Sequence, residues 1–319
     1  MYDVIVVGGG PAGIAAGIYT SRKQMKTLFL SDSFGGQSSV SAGVENWIGD
    51  ISIPGWELGQ KLEKHLRAQE GIEIKGGELA ANLRIASEST SPEGLVYEIA
   101  GSKGTVYQTR TVIIATGGHH RHLNVPGEEQ FIGKGVVYCS TCDAPFFRNK
   151  RVAVVGSGNS ALEAVEDLIP FASEITLVVR GDGAKGDPIT AAKVFADPKV
   201  SMITGAVSTE VLGEKFVTGL RYQDKKDSTQ KDLAIDGVFV EIGMVPNSDW
   251  VKDIVKRNEQ NEIVINHQST NVYDLSGNPL PGVYSAGDVA DILFKQNNIS
   301  AGYGVTAALS AYDYWKRLS

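Results

Sequence analysis

At 319 residues the chain is long enough for two ordinary domains, and 42% hydrophobic with 21% charged residues is the balance of a globular protein. Its net charge of −7 and pI near 5.4 argue against nucleic acid, whose phosphates an acidic surface repels. No run approaches the roughly 18 apolar residues of a membrane helix, Tyr2 and Asp3 lead into a strand without a basic leader or apolar signal core, and two cysteines cannot build a secreted disulfide framework; a cytoplasmic protein is expected.

The first elements read strand, glycine turn, helix, strand: "YDVIVV" from Tyr2, "GGGPAG" from Gly8, "IAAGIYTSRK", then "KTLFL". Continuous apolar strands on either side of a helix are those of a buried parallel unit. Leu58, Leu62 and Leu66 then repeat every four residues, which predicts an amphipathic helix, with His65 beside the packed stripe as a solvated or capping residue. "GLVYEIA" and "GTVYQTR" carry hairpin signals, and "TVIIATGG" is a buried strand that ends in a tight turn.

The opening order returns at "KRVAVVGSGNSALEAVEDLI" and "EITLVVR", so the chain carries two dinucleotide-type units. From about residue 200 the alternating segments "VSMITG", "STEVLG", "VTGLRYQD" and "DGVFVEIG" predict antiparallel strands that complete the second unit. A Pro and Gly loop then enters a short strand before "SAGDV", placed to complete the first sheet, and "GVTAALSAYDYWKRL" from Gly304 predicts a terminal helix. The expected architecture is α/β, with two Rossmann-like units and the second, 116–245, inserted between 1–115 and 246–319 of the first.

Gly8, Gly10 and Gly13 fit the G-x-G-x-x-G turn, in which small residues let the backbone approach a pyrophosphate at a helix N-terminus. Alone the pattern is weak. Here it follows a strand and opens a helix, and Asp32 lies 24 residues beyond Gly8, placed to accept a hydrogen bond from a ribose hydroxyl. In the second turn Gly156 and Gly158 are followed by Ala161, and the same 24-residue step from Gly156 leads to Arg180. An arginine there favours a 2′-phosphate, and Lys185 adds a second cation, so the turn leans towards NADPH.

The only cysteines, Cys139 and Cys142, sit in "YCSTCDAP". A structural zinc site would need further ligands, and His119, His120 and His122 crowd one loop without the usual spacing. Inert core thiols are at odds with so polar a turn. A reversible disulfide is the third reading, because a Cys-x-x-Cys opening a helix stabilises a thiolate.

In order along the chain stand "GGGPAG", "GGQ" at 35–37, "EN" at 45–46, "ATG" at 115–117, "CSTCD", "GSGNSA", "GVFVEIG" followed by "PN", and "AGDV" at 286–289. With these motifs the chain resembles the low-molecular-weight thioredoxin reductases over nearly its whole length. The resemblance implies FAD bound by Gly8, Gly10, Ala12, Gly13, Asp32, Gly36, Gln37, Asn46, Gly287, Asp288 and Gln296. It also implies a nicotinamide nucleotide at Gly156, Gly158, Ala161, Arg180 and Lys185, and no metal. Cys142 would be the thiol near the flavin, Cys139 the one that attacks the substrate disulfide, and Asp143, otherwise a common helix cap, the acid and base serving them. A homodimer acting on thioredoxin or a similar small dithiol protein is implied, with rotation of the nucleotide domain between half-reactions.

The chain departs from that family in its phosphate-binding loop. The family carries His-Arg-Arg with a further arginine four residues on, whereas here Val179, Arg180, Gly181 and Lys185 occupy the region, and lysine does not replace a bidentate arginine. Asn297 also stands where the family usually has alanine. The flavoprotein of alkyl hydroperoxide reductase is similar in "SDSFGGQ", "LNVPGE", "IGMVPNSDW" and "KRNEQNEIVI"; that family prefers NADH and carries an extra N-terminal thioredoxin-like domain. The chain opens at the flavin unit, which implies a separate protein as acceptor. NADPH, NADH and reduced ferredoxin therefore stand as alternative donors, and a flavin redox sensor or a flavin oxidase as alternative classes.

Overall fold

The computed structural model describes residues 1–41, 43–86 and 94–318. The chain divides into two compact units, one formed by Met1–Ser39, Trp47–His119 and Val245–Ser319, the other by Val40–Asn46 and His120–Met244. No helix among the described residues is long and apolar enough to cross a membrane.

The first unit opens with β1 (Tyr2–Val7), α1 (Pro11–Arg22) and β2 (Thr27–Ser31). Val4 to Val7 are buried on both faces because α1 and the long final helix cover one side while later elements cover the other. Pro11 sits at the first helical position, where its fixed φ suits the helix and its missing N–H costs nothing. Next come α2 (Gly55–Arg67), β3 (Ile72–Gly76), β4 (Ala80–Ile85), β5 (Tyr97–Gly101), β6 (Val106–Ile114) and β7 (Gly118–His120). In α2 Leu58 and Leu66 are buried and Leu62 is half-buried, as their four-residue spacing predicts, and His65 is exposed. Burial of one such leucine contributes about 2 kcal/mol.

The second unit contains β8 (Val136–Val137), α3 (Ser140–Asp143), β9 (Arg151–Val155), α4 (Asn159–Leu168), β10 (Glu174–Val179) and α5 (Pro188–Phe195). It continues with β11 (Val200–Thr204), β12 (Ala206–Gly213), β13 (Val217–Asp224), β14 (Gln230–Ala234) and β15 (Gly237–Val240). The order β11-β10-β9-β15-β8 is parallel throughout. This corrects the expected antiparallel completion: among the segments expected to be antiparallel, "STEVLG" and "VTGLRYQD" pair in the ladder β12-β13-β14, while "VSMITG" and "GVFV" join the parallel sheet. β15 is buried at all four residues and lies between β9 and β8, an environment that a short apolar run suits and an edge strand does not provide.

The chain returns through β16 (Met244–Pro246), which pairs with β7, and ends with β17 (Asn271–Tyr273), β18 (Pro279–Ser285) and α6 (Asn297–Leu318). β18 pairs in parallel with β6, Val283 opposite Val112, so a strand from the end of the chain closes the first sheet in the order β17-β18-β6-β1-β2-β3. α6 begins seven residues before the expected Gly304, in "NNISAGY", where no apolar period announces a helix. Contact with α1 supplies what the period lacks: a Cβ at Gly304 would run into the Ala12 carbonyl, so glycine there lets the two helices touch.

Candidate active site

In the first unit, the C-terminal ends of β1, β2 and β6 open onto a groove of about 660 Å3, within the roughly 300–1,000 Å3 usual for cofactor pockets. Its wall includes Gly8, Gly10, Ala12, Asp32, Gly36, Gln37, Gly287 and Asp288, so residues 280 positions apart in the chain line the same groove. The glycine turn is built by close approach. Gly8 has φ of +118° and lies against the Ala115 carbonyl, while Gly13 lies against the carbonyl of Gly8, so a Cβ at either would force the turn apart. Asp32 is exposed at the end of β2, flanked by Ser31, whose hydroxyl donates to the Ser33 carbonyl at 2.6 Å. Asp288 is half-buried, accepts a hydrogen bond from Ser300 Oγ at 3.0 Å, and has its carboxyl pushed up by desolvation, with Ser300 and Lys295 opposing the shift.

Gln296 stands just ahead of α6, where its carbonyl accepts the Ser300 amide at 2.8 Å, and is outside the groove lining. Asn46 belongs to the 40–46 segment that groups with the second unit. The motif residue that the flavin assignment omits is Asn247. Its Nδ2 donates to the Thr116 carbonyl at 2.9 Å, its carbonyl accepts from Thr116 Oγ1 at 2.7 Å, and His119 Nδ1 lies 2.8 Å from its Oδ1. These bonds tie the end of "ATGG" to "PN" in the groove wall. Glu78 also lines the wall, buried, with Oε2 accepting the Tyr107 hydroxyl at 3.0 Å. Nothing local marks Glu78, since a glutamate in a polar turn reads as solvated.

The second unit holds the other two features. Cys139 and Cys142 form a disulfide across one helical turn, with Cys139 capping α3 and the Asp143 amide donating to the Cys139 carbonyl at 3.0 Å. Asp143 is buried at the end of that turn, and burial pushes its carboxyl up to about 7. Ser140 Oγ and Thr141 Oγ1 donate to Asp167 of α4 at 2.8 and 3.2 Å, which anchors the turn. Beside Cys139, the Tyr138 hydroxyl donates to buried Glu128 at 2.9 Å and lies 3.0 Å from His122 Nδ1.

The second glycine turn leads from β9 into α4, with Gly158 at the N-cap and Ala161 fully buried below it. A Cβ at Gly156 would run into the Glu241 carbonyl, which explains the glycine by strand packing as well as by ligand approach. Arg180 and Lys185 are exposed. The loop that carries them folds back onto the turn: the Lys185 amide donates to the Ser157 carbonyl at 2.6 Å and the Asp187 amide to Asn159 Oδ1 at 2.7 Å.

Two glycine turns on parallel sheets and one disulfide in the second unit are the parts of a nicotinamide-driven disulfide enzyme, and the model of the pyridine nucleotide-disulphide oxidoreductases matches residues 2–307. The chain belongs to that family. It is 42% identical over 314 residues to the F subunit of alkyl hydroperoxide reductase in Staphylococcus aureus, a match that covers 98% of this chain and 59% of the relative. The chain thus spans about six-tenths of the length of the curated relatives it matches. Thioredoxin reductase from Streptococcus pyogenes superposes with a TM-score of 0.89 at 30% identity, with 99% of each chain covered. The enzyme from Giardia duodenalis gives 0.87 at 27%, again over 99% of each. The fold is that of the two-Rossmann-domain thioredoxin reductases.

This oxidoreductase family uses FAD and a nicotinamide nucleotide, and the groove fits the flavin nucleotide. Gly10 decides the fit: its backbone is extended, and the nearest atom to a Cβ placed there is Gly36 Cα at 3.8 Å. The protein therefore has room for a side chain at Gly10, and only a group in the groove would meet it. Gly10→Ala is expected to fold with unchanged thermal stability without flavin and to bind FAD about tenfold more weakly, a loss of roughly 1.4 kcal/mol, checked by fluorescence titration of the apoprotein.

Proposed function

We propose that this chain is an FAD-dependent disulfide reductase that passes two electrons from a nicotinamide nucleotide to the disulfide of thioredoxin or a similar small dithiol protein. The observation that carries the reading is the Cys139–Cys142 disulfide on one helical turn with buried Asp143 beside it, in the unit that also holds the second glycine turn. The turn at Gly8 to Gly13 with Asp32, Gly36, Gln37 and Asp288 would hold FAD, which would supply two-electron chemistry between a nicotinamide and a disulfide.

Within the chain, Cys139 as thiolate attacks one sulfur of the partner's disulfide, which forms a mixed disulfide and expels the partner's other sulfur as a thiolate. Cys142 then attacks Cys139, re-forms the internal disulfide and releases the second thiolate. Asp143, raised to about 7 by burial, is protonated or ionised at working pH with little driving force either way, which suits a group that gives and takes the thiol protons. Arg180 and Lys185 supply the positive charge for a 2′-phosphate, so NADPH is the donor on this reading. On this reading the protein works in the cytoplasm as a homodimer.

A second reading of the donor rests on a specific observation. Arg180 and Lys185 stand where the family's signature has several arginines, and the 42% identical relatives are alkyl hydroperoxide reductase subunits, so NADH feeding a peroxide-reducing partner is the alternative. Anaerobic titration of the yellow protein with each nucleotide tests both. Loss of oxidised-flavin absorbance at near-stoichiometric NADPH supports the first and at near-stoichiometric NADH the second. Bleaching by dithionite but by neither nucleotide overturns both, and reduced ferredoxin becomes the donor to test.

A further inference from the structure

We propose that Asp167 is a positioning residue for the redox pair: its carboxyl holds Ser140 and Thr141, the two residues between Cys139 and Cys142, and so keeps the two sulfurs close once their bond is broken. The inference rests on the reading of Cys139 and Cys142 as the redox pair.

Asp167 is the last residue but one of α4, at the end of the helix opposite the Gly158 cap. An acid there meets the negative end of the helix dipole, so helix chemistry does not explain it. Its neighbour Glu166 is accounted for by an ion pair with Lys193 of α5. Asp167 instead meets the redox turn, where a single oxygen, Oδ2, accepts from Ser140 Oγ at 2.8 Å and from Thr141 Oγ1 at 3.2 Å. Ser140 is buried and Asp167 half-buried, so water competes little for the shorter bond. Within the turn Cys139 provides no side-chain cap, and the Asp143 amide donates to the Cys139 carbonyl at 3.0 Å. Asp167 therefore braces, from another helix, a turn of four residues that is too short to hold its own shape.

In the oxidised turn the S–S bond and the Asp167 bonds act on the same stretch, Cys139 to Cys142, and favour the same geometry. Each therefore makes the other easier to form, and the coupling is reciprocal. When the disulfide opens, two electrons and two protons enter the turn and the sulfurs become separate thiols. Asp167 then limits how far the turn can spread, which raises the effective concentration of Cys142 at Cys139. Closure forms one S–S bond and oxidises the two cysteine sulfurs, while the disulfide that takes the electrons is reduced to two thiols that take up the two protons. The brace favours closure, so its loss shifts the pair towards the dithiol.

The test uses anaerobic holoenzyme at about pH 7, equilibrated with mixtures of reduced and oxidised dithiothreitol. After an acid quench and maleimide labelling, intact mass reads the state of the pair directly, because Cys139 and Cys142 are the only cysteines in the chain. Asp167→Ala, which removes the acceptor, is expected to shift the equilibrium about fivefold towards the dithiol, roughly 20 mV for a two-electron couple. Asp167→Asn keeps an acceptor for both hydroxyls and should stay within about twofold of the parent. Both variants remove the same charge and leave buried Asp143 in place, so a difference between them does not come from ionisation of Asp143 or of the thiols. Ser140→Ala with Thr141→Val should reproduce the D167A shift, and adding D167A to that pair should shift it no further. An unshifted D167A, a D167N shifted as far as D167A, or a triple variant whose shifts add overturns the proposal. If D167A does not retain flavin, the Ser140 and Thr141 variant leaves α4 intact and carries the test, with the same fivefold shift required of it. The equilibrium needs neither nicotinamide nor protein disulfide, so inactivity in the nucleotide titration would overturn the proposed function and leave this result to stand or fall separately.

Discussion

Cys142→Ser is expected to lower turnover of a protein disulfide by roughly a thousandfold or more while the protein stays yellow and its flavin still bleaches with the nucleotide donor. The scale is that of removing a group that forms a covalent intermediate. The separation of effects follows from the fold, because the disulfide lies in the second unit and the glycine groove in the first, so the sulfur can be lost without touching the groove wall. Without Cys142, Cys139 can still attack but cannot be released, and the mixed disulfide with the partner should accumulate. Non-reducing electrophoresis after incubation with oxidised thioredoxin and donor checks this. Cys139→Ser should abolish turnover equally and trap nothing. The same pair of variants separates the other classes: an oxidase would keep its peroxide formation in both, and a sensor would show no turnover before mutation.

Asp143→Asn is expected to act in opposite directions on activity and stability. As the proton donor and acceptor for the thiols, Asp143 should contribute about a hundredfold or more to turnover, and its loss should remove the limb near pH 7 from the pH–rate profile. Stability follows from the same burial. In the folded protein the carboxyl keeps its proton up to about pH 7, whereas the unfolded chain releases it near the ordinary aspartate value. The native state therefore binds more protons between these limits, and its stability falls as pH rises through them, by up to about 4 kcal/mol. Asparagine has no proton to lose. Thermal melts of the variant should match the parent below about pH 4 and rise above it at pH 8; a variant less stable than the parent at both values would show that Asp143 serves the fold rather than the thiols. Glu241, raised for the same reason, adds a component of the same sign that D143N leaves in place.

The parts legible in the sequence are those whose chemistry is local. Gly8 and Gly13 are dictated by a backbone that turns within a few residues, and Cys139 and Cys142 can bond because three residues separate them on one turn. The apolar runs of β1, β2, β6, β9 and β10 predict buried parallel strands, because both faces of such strands are covered. Partnership between distant strands was not legible. "VSMITG" and "GVFV" read like the antiparallel segments around them, and only packing beside β10 and β9 made them members of the parallel sheet. The start of α6 was hidden for the same reason, since Asn297 to Tyr303 carry no apolar period of their own and the helix they open packs against α1.

The site divides along the same line. By itself the sequence determined two nucleotide-type turns and one redox-capable cysteine pair, because each needs only a short stretch of chain with the right small or sulfur-bearing residues. Tertiary structure alone decided what surrounds them. It carried Gly287 and Asp288 to the groove wall beside Gly8 and buried Asp143. Burial and neighbouring charge are properties of the packed assembly, and they set a carboxyl's proton affinity, whereas the residue's identity in the chain sets only its ordinary value.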